Sequence, residues 1–452
     1  MNSVVEAGRD WLYREKNSTQ NLDKSIEELC FDLLNAKGEA SSATLAFDVI
    51  KAYQNLNKQE RMSFYNTLAN RFDLNVDALI VSAKAYKQQA SLEQLRELIS
   101  RSESLRQELF RRINQAPEGT ALLVKLRAEI LANLKSHPDW APIDLDLQHL
   151  LSSWFNRGFL YVEKIDWHSP AAILEKLMQY ESVHSMQGWE DLHRRLANDR
   201  CCYAFFHPVL KDEPLIFVEV ALVKGLATSI KDILNIDSPV LSVDKANTAI
   251  FYSINNCQKG LRGISFGDFL IKQVVSEIQK DIPNIKLFAT LSPVPSFRKW
   301  LEQEILNEDS TLLNNHAKQL FMGLEQVDCL SDKKICIKLE PILTRLCAYY
   351  LSKVTRNDKP FDPVARFHLH NGAQLSQINW LGDCSDNGIK QSFGILVNYV
   401  YDTKQIERNH ENYIHHGQIT VSGTVKKLTD NVPSVIADVD PVDILGELIN
   451  EQ

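Results

Sequence analysis

The sequence predicts two architectures in one chain: an all-α helical bundle over residues 1–153, followed by a mixed α/β domain with helical insertions over 154–452. Three observations carry that expectation. Up to about residue 150 apolar side chains recur at helical spacing almost without a break. After Trp154, β-rich runs such as CYAFFHPVL, LIFVEVALV and TAIFYSI alternate with turns and amphipathic helices. With 452 residues, 44% of them hydrophobic, the chain can bury more than one core.

The helical part reads element by element. In DKSIEELCFDLLNAKG, Ile26, Leu29, Cys30, Leu33 and Leu34 fall on one helical face, and Gly38 supplies a stop. Further helices are expected at about 43–54, 58–71, 75–88, 91–100, 104–114 and 119–136. Ser91 and Gln94 fit a capping box at the start of SLEQLRELI. No cluster of chemically active side chains interrupts these helices, so this half suits packing or association.

In the second half, helix returns between about 299 and 353, in KWLEQEILN, LLNNHAKQLFMGLEQ and EPILTRLCAYYLSKV. Strand character is expected again in FHLHNGAQLSQINWL and GILVNYVYD, and the segment beyond 430 is acidic and ends in a short apolar helix candidate. Of the eight cysteines none forms a CxxC pair, which argues against structural zinc, and Cys201 and Cys202 fit an apolar strand. A net charge of −8 disfavours nonspecific binding to nucleic acid or to an anionic membrane. No apolar run approaches the roughly 20 residues that cross a bilayer. The opening MNSVVEAGRDWLYREK carries acidic residues where a signal peptide has its apolar stretch, so a cytoplasmic location is expected.

Three stretches carry chemistry. TAIFYSINNCQKGLRGISFGDFLIKQVVSEI reads as a strand, a glycine-rich loop and a helix burying Phe269, Leu270, Val274, Val275 and Ile278. Backbone N–H groups in such a loop, with the positive end of the helix, can hold a phosphate. Gly260, Gly263 and Gly267 fit neither the Rossmann spacing nor a P-loop. What remains is the strand-loop-helix by which GNAT-like acyl-CoA enzymes hold the CoA pyrophosphate, or a simple glycine turn; Lys259 and Arg262 favour the former. LFATLSPVPSFRKWL leaves the Ser292 hydroxyl at a strand end stiffened by Pro293 and Pro295, a functional position or a Ser-Pro turn with Ser296 as N-cap. FHLHNGA, read as a strand, points His368 and His370 to one face, which would suit a shared metal, a catalytic imidazole or two ordinary polar side chains. No third ligand lies at a suggestive spacing.

Six blocks taken in order resemble malonyl-CoA decarboxylases: WHSPAAILEKLMQYESVHSMQGWEDLHRRL, EPLIFVEVALVKGLATSI, AIFYSINNCQKGLRGISFGDFLIK, FATLSPVPSFRKWL, DPVARFHLHNGAQLSQINWLGD and GILVNYVY. The similarity spans roughly residues 154–402 and implies an N-terminal helical domain before a GNAT-like catalytic domain. It also implies site residues. Ser292 matches the family's catalytic serine, His368 its catalytic histidine, and Tyr401 a tyrosine near the pair; Arg262, Gly263, Ile264, Ser265, Phe266, Gly267 and Asp268 match the CoA-contacting loop. Some relatives carry Glu at the position of Ser265, and some carry Gln at that of His370, which argues against a shared metal.

The resemblance implies decarboxylation of malonyl-CoA to acetyl-CoA and carbon dioxide, with no cofactor because CoA is part of the substrate. Breaking the bond to the carboxylate leaves its electrons on the α-carbon, delocalised into the thioester carbonyl as an enolate, so the site must stabilise an oxyanion and deliver a proton to carbon. Ser292 can hydrogen-bond the malonyl group, and an imidazole such as His368, titrating near neutrality, can protonate the α-carbon. A homo-oligomer, as the family's tetramers imply, is expected to form through the helical half. Two other classes use the same loop: a GNAT-like N-acetyltransferase with an amine acceptor, and an idle malonyl-CoA sensor.

Overall fold

A computed structural model describes residues 24–264, 269–324, 332–430 and 432. The chain gathers into two units. One holds residues up to Val162 together with Phe205–Ile216 and Asn256–Phe266; the other holds Glu163–Ala204, Phe217–Asn255 and the chain from Gly267 onward.

The first unit is helical, with helices at Ile26–Asn35, Glu39–Asn55, Lys58–Arg71, Val76–Gln88, Leu92–Arg101, Leu105–Asn114, Gly119–Asn133 and Ala141–Trp154. Their starts follow from polar caps. Ser25 with Glu28 and Asn57 with Glu60 form complete capping boxes, each satisfying two backbone N–H groups that the helix leaves open. Of the box expected at Ser91, the bond present is the one from Gln94 N–H to Ser91 Oγ, 3.2 Å. Leu33, Phe72, Leu109, Phe110, Leu123, Ile130, Trp140 and Leu147 fill the core. Arg106 is buried in it and donates to Asp146 at 2.7 Å and to the Leu68 carbonyl at 2.9 Å, which removes the cost of an unpaired buried cation.

Two helices stand apart. Val76–Gln88 and Leu92–Arg101 pack on each other, yet leave Val76, Val81, Leu92 and Ile99 between 56% and 68% exposed. The second of the pair buries no residue despite a well-separated apolar face.

The second unit is built on a sheet of eight strands: β1 (Tyr161–Ile165), β2 (Arg200–Phe206), β3 (Ile216–Val223), β4 (Thr248–Asn256), β5 (Leu287–Thr290), β6 (Ser292–Pro293), β9 (Gln374–Asn379) and β10 (Leu396–Val400); a hairpin of β7 (Thr355–Arg356) and β8 (Lys359–Pro360) lies outside it. The order is β1-β2-β3-β4-β5-β10-β6, with β9 on the other edge of β10. Residues of β2, Cys201 and Cys202 included, are buried on both faces, which is why that strand reads as one apolar run.

The expected strand-loop-helix of a GNAT-like domain is present. β4 leads through its loop into the helix Phe269–Asp281 and back to β5, which runs parallel to β4 with Ile250 opposite Ala289. Leu270, Val274, Val275 and Ile278 form the buried stripe of that helix. Helical insertions follow at Phe297–Leu306, Asn315–Leu324 and Lys333–Lys353. A helical N-terminal region followed by a mixed α/β domain is thus the observed fold class. The helix candidate beyond residue 430 lies outside the described residues.

FHLHNGA is not a strand. Residues Pro363–His370 form a helix, capped by Asp362, whose carboxylate accepts the N–H groups of Val364 and Ala365 at 2.9 Å each. Proline at the first helical position has no N–H to leave open and a φ already suited to the helix, so Asp362-Pro363 starts it twice over. The strand begins only at Gln374.

Candidate active site

Ser292, His368 and Tyr401 come from three elements far apart in sequence and meet in one buried chain of hydrogen bonds. Ser292 opens β6, where it pairs with Val397 of β10. Tyr401 follows the end of β10 and is tied to β5 by its N–H on the Phe288 carbonyl, 2.8 Å. His368 arrives on the helix capped by Asp362. Its Nε2 lies 3.2 Å from Ser292 Oγ and its Nδ1 2.7 Å from the Tyr401 hydroxyl. All three side chains are buried.

Two further residues complete the arrangement. The Tyr399 ring stacks on His368, with centroids 4.7 Å apart and planes 25° apart. Thr290 accepts the Ser292 hydroxyl at 2.8 Å. Sequence reasoning missed both, although alternation along a strand pointed to them: Thr290 stands two positions before Ser292, and Tyr399 two before Tyr401.

Burial sets the electrostatics. It pushes the His368 imidazole down to about 3, so at neutral pH the ring is uncharged; the expectation of a histidine titrating near neutrality is corrected. The cause is removal of the ring from water. Asp362 is pushed up to about 6 by the same burial, against the two helix N–H groups that hold its charge.

His368 and His370 do not share a face. Two positions along a helix are about 200° apart, so His370 turns away and packs its ring against His410 and Tyr413, centroids 5.2 and 5.9 Å away. The two-imidazole metal site that a strand would have formed is absent, and among the described residues no group of three or more His, Cys, Asp or Glu side chains is placed to hold a metal.

Of the loop residues, Arg262, Gly263 and Ile264 are described; Ser265, Phe266, Gly267 and Asp268 lie outside the described residues. Gly263 adopts φ +79°, a left-handed turn that favours glycine. Arg262 and Lys259 line a cavity of about 500 Å³ with Gly263, Ile264, Ala128 and Leu131. The loop is seated on the helix Gly119–Asn133. Gly260 lies so close to it that a Cβ there would run into the Val124 carbonyl, and the buried Arg127 donates to the Gly260 carbonyl at 2.7 Å while pairing with Asp144 at 2.8 Å. Among the described residues no helix is long and apolar enough to cross a membrane.

Comparison with known proteins gives this geometry a lineage. The family described as malonyl-CoA decarboxylase C-terminal domain matches residues 158–439, and the corresponding N-terminal domain matches residues 72–155. The crystal structure of malonyl-CoA decarboxylase from Rhodopseudomonas palustris is similar with a TM-score of 0.86 at 47% identity, covering 89% of this chain and 100% of that one. That of the Agrobacterium vitis protein gives 0.84 at 44% identity, covering 90% and 100%. The mitochondrial malonyl-CoA decarboxylase of Anser anser anser is 37% identical over 348 residues, 70% of this chain and 68% of the relative. On the match of both domains and on this identity, the chain belongs to the malonyl-CoA decarboxylase family.

Proposed function

We infer that this chain converts malonyl-CoA into acetyl-CoA and carbon dioxide through a thioester enolate, with Ser292 and His368 as the reacting pair and Tyr401 behind them. The observation that carries the reading is the buried line from the Tyr401 hydroxyl through both nitrogens of His368 to Ser292 Oγ, at 2.7 and 3.2 Å, in a member of this family.

On substrate binding the Ser292 hydroxyl turns its hydrogen from Thr290, where it rests in the free protein, to the malonyl group. As the bond between α-carbon and carboxylate breaks, the electron pair enters the thioester carbonyl and carbon dioxide leaves. The α-carbon then takes the Ser292 hydroxyl proton as Oγ takes the one on His368 Nε2 and Nδ1 takes that of the Tyr401 hydroxyl. Once acetyl-CoA leaves, a solvent proton restores Nε2 by way of Ser292 and Nδ1 returns its own to Tyr401, so the ring regains its starting tautomer. One proton is consumed per turnover. An uncharged imidazole suits this role better than a charged one. The enolate carbon is basic enough to take a proton from a neutral donor, and a permanent imidazolium would have to be kept in a buried site. The thioester is itself the electron sink, so no cofactor enters the reading.

We assign CoA recognition to the loop from Arg262 to Asp268. Its support is the cavity beside Arg262 and Lys259 and the left-handed Gly263. Self-association, as a homotetramer, is assigned to the helical part, where the pair Val76–Gln88 and Leu92–Arg101 shows the apolar face such contact requires. The working division places the helical function before residue 154 and catalysis after it, in a cytoplasmic enzyme. The test is mass spectrometry of purified protein incubated with malonyl-CoA, beside His368→Ala. Acetyl-CoA from the wild type and not from the variant supports reaction and site together; intact malonyl-CoA under both conditions removes the reading.

A further inference from the structure

Thr290 is a buried polar residue that the proposed reaction leaves unused. It is 0% exposed, and its hydroxyl oxygen accepts from Ser292 Oγ at 2.8 Å and from the Tyr399 N–H at 3.2 Å. Its carbonyl accepts the Asn398 amide at 2.7 Å. Asn398 is held in turn: its amide also reaches the Ala227 carbonyl at 3.0 Å, and its own oxygen accepts from Asn379 at 2.8 Å. Thr290 lies where the sheet passes from the β5 pairing, Val400 opposite Ala289, to the β6 pairing, Val397 opposite Ser292. Strand β10 therefore pins both the hydroxyl and the carbonyl of this one residue.

We propose that Thr290 is a positioning residue of the decarboxylation, which holds the Ser292 proton and thereby selects the His368 tautomer that carries its hydrogen on Nε2. The proposal rests on the reading of Ser292 and His368 given above. A serine hydroxyl has one hydrogen. While that hydrogen is on the bond to Thr290, Ser292 Oγ can meet His368 Nε2 only as an acceptor, so Nε2 is the protonated nitrogen. Nδ1 of the neutral ring is then an acceptor, and the Tyr401 hydroxyl donates to it. The bonds run in one direction, from Tyr401 to His368 to Ser292 to Thr290. Without the threonine hydroxyl the Ser292 proton turns to Nε2, and the line reverses: Nδ1 carries the hydrogen and donates to Tyr401. A ring in that state has no proton to give toward Ser292.

The experiment compares wild type, Thr290→Val and Thr290→Ser, all labelled with ¹⁵N-histidine, by NMR of the ring nitrogens and by steady-state kinetics. Signals of His368 are assigned by their loss in His368→Asn. The wild type should show hydrogen on Nε2. Valine, which keeps the shape, should shift the ring to the Nδ1–H form and lower kcat by about 10- to 100-fold with KM for malonyl-CoA within about twofold, since positioned proton transfer and not binding is lost. Serine should keep the wild-type tautomer and kcat within about threefold.

An unchanged tautomer in the valine variant, a loss confined to KM, or a serine variant that behaves like valine overturns the proposal. Absence of acetyl-CoA from the wild type would instead remove the decarboxylase reading, while the nitrogen spectra would still judge Thr290. Should the valine variant fail to fold, Thr290→Cys takes its place with the same outcomes, because a thiol is only a weak acceptor.

Discussion

Replacing Tyr401 with Phe removes one oxygen from the site and leaves the ring that fills the space. The lost hydroxyl stands 2.7 Å from His368 Nδ1, in surroundings where Tyr401 is only 2% exposed. Solvent cannot readily replace it, so Nδ1 is left as a buried acceptor without its donor. A group orphaned in this way costs about 1–3 kcal/mol. At about 1.4 kcal/mol per tenfold in rate, that corresponds to a loss of about 5- to 150-fold in the step that uses the imidazole. The loss should fall on kcat, because Tyr401 touches His368 and acts through it. The assay is acetyl-CoA formation against malonyl-CoA concentration at pH 7, with a thermal melt confirming that the variant is folded. A folded Tyr401→Phe enzyme with wild-type kcat, or one whose defect lies entirely in KM, would refute the role given to this hydroxyl.

Four further outcomes are expected. His368→Ala and Ser292→Ala should each lower turnover by about 10²–10⁴-fold while leaving the circular dichroism spectrum and CoA affinity near wild type; near-normal rates in both would remove the site. Acid should unfold the wild type more readily than His368→Asn. The folded imidazole binds its proton only near pH 3 and an unfolded one near 6.5, so the unfolded chain holds the extra proton between these values and stability falls as pH drops through the window. Between pH 6.5 and 4 the difference should reach about 3 kcal/mol, read as a change in urea midpoint, and equal slopes for both proteins would contradict the buried neutral ring. Gly260→Ala should raise the KM for malonyl-CoA and lower the melting temperature, since overpacking against a backbone carbonyl costs about 1–3 kcal/mol; an unchanged enzyme would show that the loop does not depend on this contact. If the exposed helical pair carries the proposed self-association, Val81→Asp with Ile99→Asp should leave the helices folded and reduce the molar mass seen by light scattering, and an unchanged mass would remove that assignment.

Most of the helical half was legible because its signals are local. Helices expected at about 43–54 and 58–71 are observed at Glu39–Asn55 and Lys58–Arg71, for apolar spacing and caps act within one turn. The strands around Cys201, Phe217 and Phe251 were legible as β-branched and aromatic runs. His368 was misplaced for an identifiable reason: the alternation His-Leu-His outweighed the start signal of Asp362-Pro363 just ahead of it, so a helix was read as a strand. Its depressed pKa follows from burial by Tyr399 and other distant residues, which no spacing reveals. Thr290 and Tyr399 escaped because their importance depends on which face of β5 and β10 meets the histidine. That choice is made by pairing between strands more than a hundred residues apart, not by the strands themselves.

The seat of Gly260 on the helix Gly119–Asn133 bears on how this protein can be divided. A truncated chain beginning at residue 154 would keep Ser292, His368 and Tyr401, yet it would strip Val124 and Arg127 from beneath the Gly260 turn, uncovering a carbonyl that now has a charged donor and a glycine that now fits against the Val124 carbonyl. Dissection at the point where the sequence changes character would therefore sever a working part from its foundation. The helical segment is a mount for the loop, and loss of activity on deleting it would say nothing, by itself, about the self-association proposed for it.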